Sequence, residues 1–196
     1  IMEHLRNLGV ADNTIVVYFA DNGWFWGEHR FRAKNKPYEE AIRSPMFVRY
    51  PKLAPCPRTE TRFALNIDLA PTFAALAGVA VPIAHDGQSL VRVLDGTTPS
   101  WRTDFLTEGW PIAAPWATVR EAQWKYTEIP LLPGNPATTF ETELYDLVSD
   151  PYELENVASA PQHAARIATM AARLRQLRPN WPVDSNPNGP DPAEED

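Results

Sequence analysis

An acid and an amide stand side by side at the end of an apolar run. Asp21 and Asn22 follow the residues TIVVYFA, and Gly23 comes directly after them. A carboxylate beside a carboxamide supplies hard oxygen ligands, which suit Ca²⁺ or Mg²⁺. The tripeptide Asp-Asn-Gly is also a common Asx turn, and spacing alone favours that interpretation. The residues therefore indicate either a metal site or a tight turn.

Cationic side chains gather just downstream of this pair. The stretch GEHRFRAKNKPYEE contains a histidine and several cations, namely His29, Arg30, Arg32, Lys34 and Lys36. Beside a metal ion, a cation near the leaving oxygen of an anionic ester would stabilise the charge that forms as the bond breaks. A solvated loop explains most such clusters, and a single histidine is more often a packing or surface residue than a catalyst. The stretch is a candidate anion site that does not specify the anion.

The elements around this site predict an α/β layer structure. A helix is expected over residues 3–9, before the apolar strand of residues 14–20 and a second strand over Met46–Tyr50. The unbroken apolar run is typical of a strand covered on both faces, as in a parallel sheet. The sequence DLAPTFAALAG then predicts a helix that Asp68 caps and Gly78 ends. Helices and strands that alternate with short links favour the α/β class.

The pattern changes after about residue 99. TDFLTEG, ATVREA, WKYTEI and ETELYDL are short strands separated by turns, which usually pair antiparallel. PQHAARIATMAARLRQL predicts an amphipathic helix, with one apolar stripe formed by Ile167, Met170, Leu174 and Leu177. The acidic, proline-rich end predicts a disordered tail. The predicted domains are therefore residues 1–99, 100–180 and 181–196.

Composition limits the classes of partner. The 196 residues carry a formal net charge of -7, which argues against nucleic acid, since phosphate binding requires an excess of Lys and Arg. No apolar run approaches the roughly 20 residues of a membrane span. The single cysteine, Cys56, excludes an internal disulfide framework. The chain opens at Ile1 within a helical pattern, so we interpret it as a piece of a longer protein. The cellular location is left open, and a periplasmic or secreted parent is compatible with the sequence.

The order and spacing of these segments resemble the C-terminal part of a type I sulfatase catalytic domain, in the alkaline phosphatase superfamily. The likeness runs from NTIVVYFADNGWFWGEHRFRAKNKPYEEAIRSPMFVRYP through NIDLAPTFAALAGV, DGQSL and WKYTEI to ELYDLVSDPYELENVA. It covers residues 2–177. The resemblance implies the C-terminal part of a layered α/β sheet domain, followed by a small α+β subdomain with an antiparallel sheet and a C-terminal helix.

The resemblance also implies roles for the residues after the first strand. Asp21 and Asn22 match two of the family's Ca²⁺ ligands, with Mg²⁺ as the alternative ion. Lys34, four residues before Tyr38, matches the lysine that contacts the sulfate ester and is the expected catalytic residue. His29 matches the histidine of a GEH sequence present in some subgroups and is expected to bind substrate. The loop itself is expected to be supported by the other signature residues, namely Tyr38, Glu39 and Arg43.

The family's nucleophile motif has no match in this sequence. Family members cleave sulfate esters with a formylglycine made from the Cys or Ser of a Cys-x-Pro-x-Arg motif. That motif lies in the N-terminal half of the catalytic domain, with two further Asp ligands and a Lys-His pair. Cys56 has the wrong spacing and lies downstream of Asp21 and Asn22. We therefore expect a sulfuric ester hydrolase as the parent, an inactive chain when alone, and the N-terminal half as its partner.

Alternative functions belong to other classes. A non-catalytic fragment or accessory module would keep the fold without turnover. A related hydrolase would act on phosphate esters through the same metal-centred layout, although the Tyr-Glu signature and the ELYDL segment favour a sulfatase. The expected substrate is a sulfated sugar or another sulfated small molecule. Trp24 and Trp26 indicate a sugar or aryl ring, and the choice between sugar, aryl and choline sulfates stays open.

Overall fold

Two compact units make up the chain. The first consists of Ile1–Asp21 and Ser44–Thr103, and the second of Asn22–Arg43 and Asp104–Asp196. The computed structural model describes residues 1–81, 83–97, 100–109, 115–131 and 139–182. These units reflect packing, whereas the ranges 1–99, 100–180 and 181–196 follow the sequence, so that division into domains stays a prediction.

Helices and strands alternate in the first part of the chain, and strands prevail later. The strands are β1 (Val16–Phe19), β2 (Phe25–Trp26), β3 (Arg32–Ala33), β4 (Met46–Arg49), β5 (Asp104–Gly109), β6 (Trp116–Glu121), β7 (Trp124–Pro130) and β8 (Phe140–Asp146). The helices are α1 (Met2–Asn7), α2 (Glu39–Ile42), α3 (Leu69–Ala77), α4 (Val91–Leu94) and α5 (Ala164–Leu177). These elements confirm the predicted α/β class.

Strand β1 pairs with β4 in the first unit, and the pair is antiparallel. Val17 lies opposite Val48, and Tyr18 lies opposite Phe47. The prediction of a parallel strand buried on both faces was wrong for the described residues, since Tyr18 and Phe47 are each 66% exposed. An apolar run indicates that a strand can be buried. It does not predict the direction of the neighbouring strand, because parallel and antiparallel pairing use the same backbone N–H and C=O groups.

Helix α3 confirms the predicted bounds but not the predicted cap. Asp68 precedes the helix, and Gly78 ends it in the left-handed conformation with φ 69°, as a C-terminal glycine commonly does. The Asp68 side chain makes no capping bond to the helix. Its fully buried carboxylate accepts hydrogen bonds from the backbone N–H groups of Leu65 and Gln88 at 2.8 Å each. Asp68 therefore fixes the segments around the helix rather than its first turn.

The second unit contains a four-stranded sheet in the order β5-β6-β7-β8, with every neighbouring pair antiparallel. This arrangement confirms the antiparallel pairing predicted for the short strands. The predicted apolar stripe of α5 packs on the sheet, with Met170 and Leu174 fully buried. The core cluster of this unit consists of Ala117, Val119, Tyr126, Leu144, Met170, Leu174 and Trp181.

Trp181 belongs to this core and not to a disordered tail, which corrects where the tail was predicted to start. The side chain is 9% exposed, and its Nε1 donates to Glu128 Oε2 at 3.0 Å. Trp181 is the first residue of the proline-rich, acidic end of the chain. It belongs to no repeating apolar pattern, so the composition of that end placed it in the predicted tail. Residues 183–196 lie outside the described part of the chain. Within the described part, no helix combines the length and apolarity needed to cross a membrane.

Candidate active site

A short hairpin carries His29 and leads directly into Lys34. Strands β2 and β3 pair antiparallel, with Phe25 opposite Ala33. The turn between them contains Glu28, His29 and Arg30, of which His29 has φ 52° and Arg30 has φ 63°. The Glu28 carboxylate accepts from the Trp26 N–H at 2.6 Å. Backbone hydrogen bonds from Glu28 itself and from Trp26 hold the pKa of this carboxyl below its ordinary value. The turn is therefore tied locally, with strained backbone at its tip.

An aromatic cluster holds the hairpin together. Phe25 is fully buried, and its ring meets the rings of His29, Phe31 and Tyr38 at centroid distances of 6.2, 5.9 and 6.2 Å. Edge contacts of this kind add to the free energy gained from apolar burial. Trp26 projects outward from the same strand and is 83% exposed.

The structure places His29 against the aromatic cluster. Its ring stacks on Tyr38 at a centroid distance of 4.1 Å and an interplanar angle of 13°. Its Nε2 lies 3.5 Å from Glu40 Oε2, and its side chain is 11% exposed. These contacts are those of a packed residue that links the turn to α2. A role of His29 in substrate binding stays a prediction.

Lys34 and Asn22, two of the predicted site residues, lie close together. The Lys34 Nζ lies 3.4 Å from Asn22 Oδ1, although the two residues lie on opposite sides of the hairpin in sequence. The Asn22 Nδ2 donates to the Gly23 carbonyl at 2.6 Å, so the amide oxygen is the atom turned toward the lysine. A cationic side chain and an amide oxygen thus meet in the second unit.

The two proposed metal ligands are adjacent in sequence and fall in different units. Asp21 is exposed at the end of the first unit's opening segment, and Asn22 is half-buried at the start of the second unit. A carboxylate and an amide oxygen fit Ca²⁺ or Mg²⁺ in kind, although Ca²⁺ takes roughly six to eight oxygen ligands. Among the residues that the structure describes, no three His, Cys, Asp or Glu side chains are grouped to hold a metal.

Gly23 is required by a close approach of backbone and not by a left-handed turn. A Cβ at this position would lie 2.0 Å from the Glu40 carbonyl oxygen and 2.7 Å from that of Arg43. The Gly23 N–H also donates to the Ala41 carbonyl at 2.7 Å. Since no side chain fits there, glycine lets the segment that carries Asn22 lie directly on α2.

Helix α2 is anchored to the antiparallel sheet by charged and phenolic side chains. The Tyr38 hydroxyl donates to Glu143 Oε1 at 3.1 Å, and Arg120 contacts both Glu39 carboxylate oxygens at 3.1 and 3.3 Å. Burial, followed by the negative charge of Glu143, raises the pKa of Tyr38 above its ordinary value. Burial also raises the pKa of Glu143. These contacts are consistent with Tyr38 and Glu39 supporting the loop.

Lys125 and Glu153 complete this anchor, and neither was predicted from the sequence to have a role. Both are almost fully buried, in the segments WKYTEI and DPYELENVA that carried the resemblance. Burial lowers the pKa of Lys125, and burial raises the pKa of Glu153, although each opposes the shift of the other. A lysine between the two aromatic residues of a strand was the signal in the sequence, because charge is rare at an inward position.

The described strands and helices define an α/β fold, and comparison with known proteins narrows the class. Residues 27–180 match the family described as N-sulphoglucosamine sulphohydrolase, C-terminal. The chain belongs to this family, which confirms its resemblance to the C-terminal portion of a sulfatase.

Curated relatives agree with this assignment. The chain is 32% identical to N-acetylglucosamine-6-O-sulfatase from Bacteroides thetaiotaomicron, over 96% of this chain and 34% of that protein. It is 29% identical to choline-sulfatase from Rhizobium meliloti, over 94% of this chain and 35% of that protein. The chain thus spans about a third of the length of these relatives.

Solved structures share the fold. A protein solved in complex with its substrate, D-glucosamine-2-N,6-O-disulfate, superposes with a TM-score of 0.81 and 30% identity, over 100% of this chain and 39% of that one. The phosphonate monoester hydrolase of Agrobacterium radiobacter has a TM-score of 0.78 and 27% identity, over 91% of this chain and 37% of that one. Sulfatases and phosphonate hydrolases are therefore both similar to this chain.

Proposed function

We propose that this chain is the C-terminal part of a sulfuric ester hydrolase that acts on a sulfated sugar. The observation that carries the proposal is the approach of Lys34 Nζ to Asn22 Oδ1 at 3.4 Å, which joins a cation to a candidate metal ligand. The relative named N-acetylglucosamine-6-O-sulfatase and the neighbour solved with a disulfated glucosamine support a sulfated sugar as the substrate.

In this proposal Asp21 and Asn22 each give an oxygen ligand to Ca²⁺, with Mg²⁺ as the alternative. The bound cation would stabilise negative charge on the sulfate oxygens. Lys34 contacts the sulfate and stabilises the charge that builds up as the ester bond breaks. His29, packed against Tyr38, would bind substrate only through the edge of its ring that the stacking leaves accessible.

The test uses a longer protein that contains this chain together with a formylglycine motif. Lys34→Ala should lower the turnover of glucosamine 6-sulfate by on the order of 10²-fold or more, which is the usual effect of removing a donor to a developing oxyanion. Lys36→Ala is the matched control, because this lysine lies 5.1 Å from the centre of the Phe31 ring. Equal losses in the two variants, or a larger loss in the control, would contradict the proposal.

Metal dependence and the isolated chain give two further readouts. Chelation should abolish turnover of the longer protein, and Ca²⁺ should restore more of it than Mg²⁺.

The 196-residue chain alone should match blank buffer with an aryl sulfate, because the sequence contains no nucleophile motif in register. Reproducible hydrolysis by the repurified chain would oppose this expectation and make a search for another nucleophile necessary.

A phosphonate or phosphate ester is the second candidate substrate. It is favoured by the phosphonate monoester hydrolase that superposes with a TM-score of 0.78. Comparing kcat/KM for glucosamine 6-sulfate with kcat/KM for a phenyl phosphonate decides between the two. A third possibility, a non-catalytic module that keeps the fold, would show neither activity in the longer protein.

A further inference from the structure

Lys125 lies in β7 with no exposed surface. An ammonium group taken out of water is costly unless other charges compensate it. The Lys125 Nζ lies 2.5 Å from Glu153 Oε1 and 3.7 Å from Glu39 Oε1. It also lies 5.9 Å from the centre of the Tyr38 ring. The compensating groups therefore come from two separate parts of the second unit, the pair Tyr38-Glu39 and Glu153, and Lys125 is the cation that they share.

Glu153 connects this cation to the start of helix α2. One oxygen of its carboxylate meets Lys125, and the other accepts the backbone N–H of Glu39 at 2.7 Å. Glu153 is 2% exposed and has φ 53°, a conformation that costs free energy for a residue with a side chain. The preceding Asp150 accepts the N–H groups of Leu154 and Glu155 at 3.0 and 2.9 Å. The hydrogen bonds of Asp150 thus fix the turn that positions the Glu153 carboxylate between Lys125 and the Glu39 N–H.

Glu39 is held at both its backbone and its side chain. Its N–H reaches Glu153, and its carboxylate lies between Lys125 and Arg120. Burial opposes ionisation, but the hydrogen bonds and charges of Arg120 and Lys125 outweigh it and hold the pKa of Glu39 below its ordinary value. A half-buried carboxylate that stays charged depends on its cationic partners, so Arg120 and Lys125 restrict the position of Glu39.

A short, stiff connection joins Glu39 to the candidate catalytic lysine. Only Asn35, Lys36, Pro37 and Tyr38 separate Lys34 from Glu39. Pro37 is buried, with its φ fixed by the ring. Tyr38 stacks on His29 at 4.1 Å and donates to Glu143 at 3.1 Å. A shift of Glu39 therefore shifts the segment on which Lys34 is mounted.

We propose that Lys125 and Glu153 are positioning residues for Lys34, which they hold in place through the backbone and carboxylate of Glu39. The proposal rests on the proposed function, since the position of Lys34 matters for catalysis only if Lys34 contacts the ester. An ordinary stabilising contact would affect the whole unit when it is removed. A positioning role predicts instead that removing Lys125 affects mainly the loop that carries Lys34.

The first test uses the 196-residue chain. Lys125→Met keeps an unbranched side chain, one heavy atom shorter, and removes the charge. Hydrogen exchange followed by mass spectrometry should show exchange over residues 24–40 faster by roughly tenfold, through local opening, with a much smaller change over the sheet strands. Met170→Ala is the control, because Met170 is fully buried in the core cluster of the same unit, whose members include none of residues 22–43.

The second test is a double-mutant cycle in the longer protein, with the sulfate ester as substrate. Lys125→Met should lower kcat by about 10²-fold, the usual effect of misplacing a reacting group by about 1 Å. In the background of Lys34→Ala it should cause little further loss, since residues acting through one another are not additive. Met170→Ala, assayed where the protein is folded, should leave kcat unchanged.

The outcomes are separable. Unchanged exchange over residues 24–40, or losses of kcat that multiply in the double variant, would overturn the positioning role. If Lys125→Met does not fold, Glu153→Gln tests the same contact, because its amide oxygen can still accept the Glu39 N–H while the charge is lost. If the longer protein hydrolyses no sulfate ester, the proposed function fails, and the exchange experiment still decides whether Lys125 holds the loop.

Discussion

The Asp68 carboxylate, fully buried in the first unit, is held by the Arg102 guanidinium through two hydrogen bonds of 2.7 Å. Two parallel N–H donors match the two oxygens of a carboxylate, which makes this one of the stronger pairings available to a side chain. Because Asp68 also accepts the N–H groups of Leu65 and Gln88, it joins three segments of the unit. The value of the pair depends on both partners being present, since either one alone is a buried charge.

Arg102→Ala should therefore destabilise the protein by about 3–5 kcal/mol, because it leaves the Asp68 carboxylate buried without its cation. Urea unfolding followed by circular dichroism measures the loss. Arg92→Ala is the matched control, since Arg92 is exposed and its guanidinium only reaches the Thr97 carbonyl at 3.4 Å. A similar free energy of unfolding for both variants would show that the buried pair contributes little.

Removing the end of the chain should matter only when Trp181 is lost. Trp181 stacks on Phe140 at a centroid distance of 6.5 Å, and deleting a buried ring of this size costs about 3–5 kcal/mol. Truncation after Asn180 should lower the melting temperature by about 10 °C, whereas truncation after Pro182 should leave it nearly unchanged. A large drop with both truncations would mean that residues 183–196 also stabilise the fold.

Glu143→Gln should change how stability depends on pH. Burial raises the pKa of Glu143 from its usual 4.5, so between that value and the higher folded value the folded state holds more protons than the unfolded state. Stability from this group therefore falls as pH rises through that window. Glutamine cannot ionise and still offers an acceptor to the Tyr38 hydroxyl. The variant should gain stability relative to the parent from about pH 4.5 to neutral pH.

Urea unfolding at several pH values measures this difference, and Glu155→Gln controls for the loss of one negative charge, because Glu155 is exposed. The difference between Glu143→Gln and the parent should widen with pH and exceed that of the control. A difference that stayed constant with pH, or narrowed as pH rose, would show that ionising the buried Glu143 carboxyl does not lower the stability of the folded state.

Gly23→Ala should destabilise the second unit and disturb the candidate site together. Its methyl group would meet the Glu40 carbonyl oxygen at 2.0 Å, and backbone atoms can yield only by moving helix α2. Overpacking of this kind costs about 1–3 kcal/mol or more. Gly9→Ala is the comparison, since Gly9 has φ 69° with no atom within 4 Å of the added carbon and should cost only about 1–2 kcal/mol. Equal losses would argue against a steric role for Gly23.

The sequence by itself determined the elements whose signals are local. Strands β5 to β8 and helix α5 follow from short-range periodicity, because burial of one face repeats every two residues in a strand and about every 3.6 in a helix. The end of α3 followed from Gly78, whose left-handed conformation is set by its own lack of a side chain. Asp21, Asn22, His29 and Lys34 were singled out by their order after the first strand and by the family resemblance.

Only the tertiary structure decided which residues become partners across the chain. It paired β1 antiparallel with β4, placed Arg102 on Asp68, moved Trp181 into the core, and gathered Lys125 and Glu153 around Glu39. The partner of a buried charge can lie at almost any distance along the sequence, because the folded backbone brings the two residues together. Local sequence patterns therefore do not predict such pairs. For the same reason, the approach of Lys34 to Asn22 became visible only once the hairpin between them had folded.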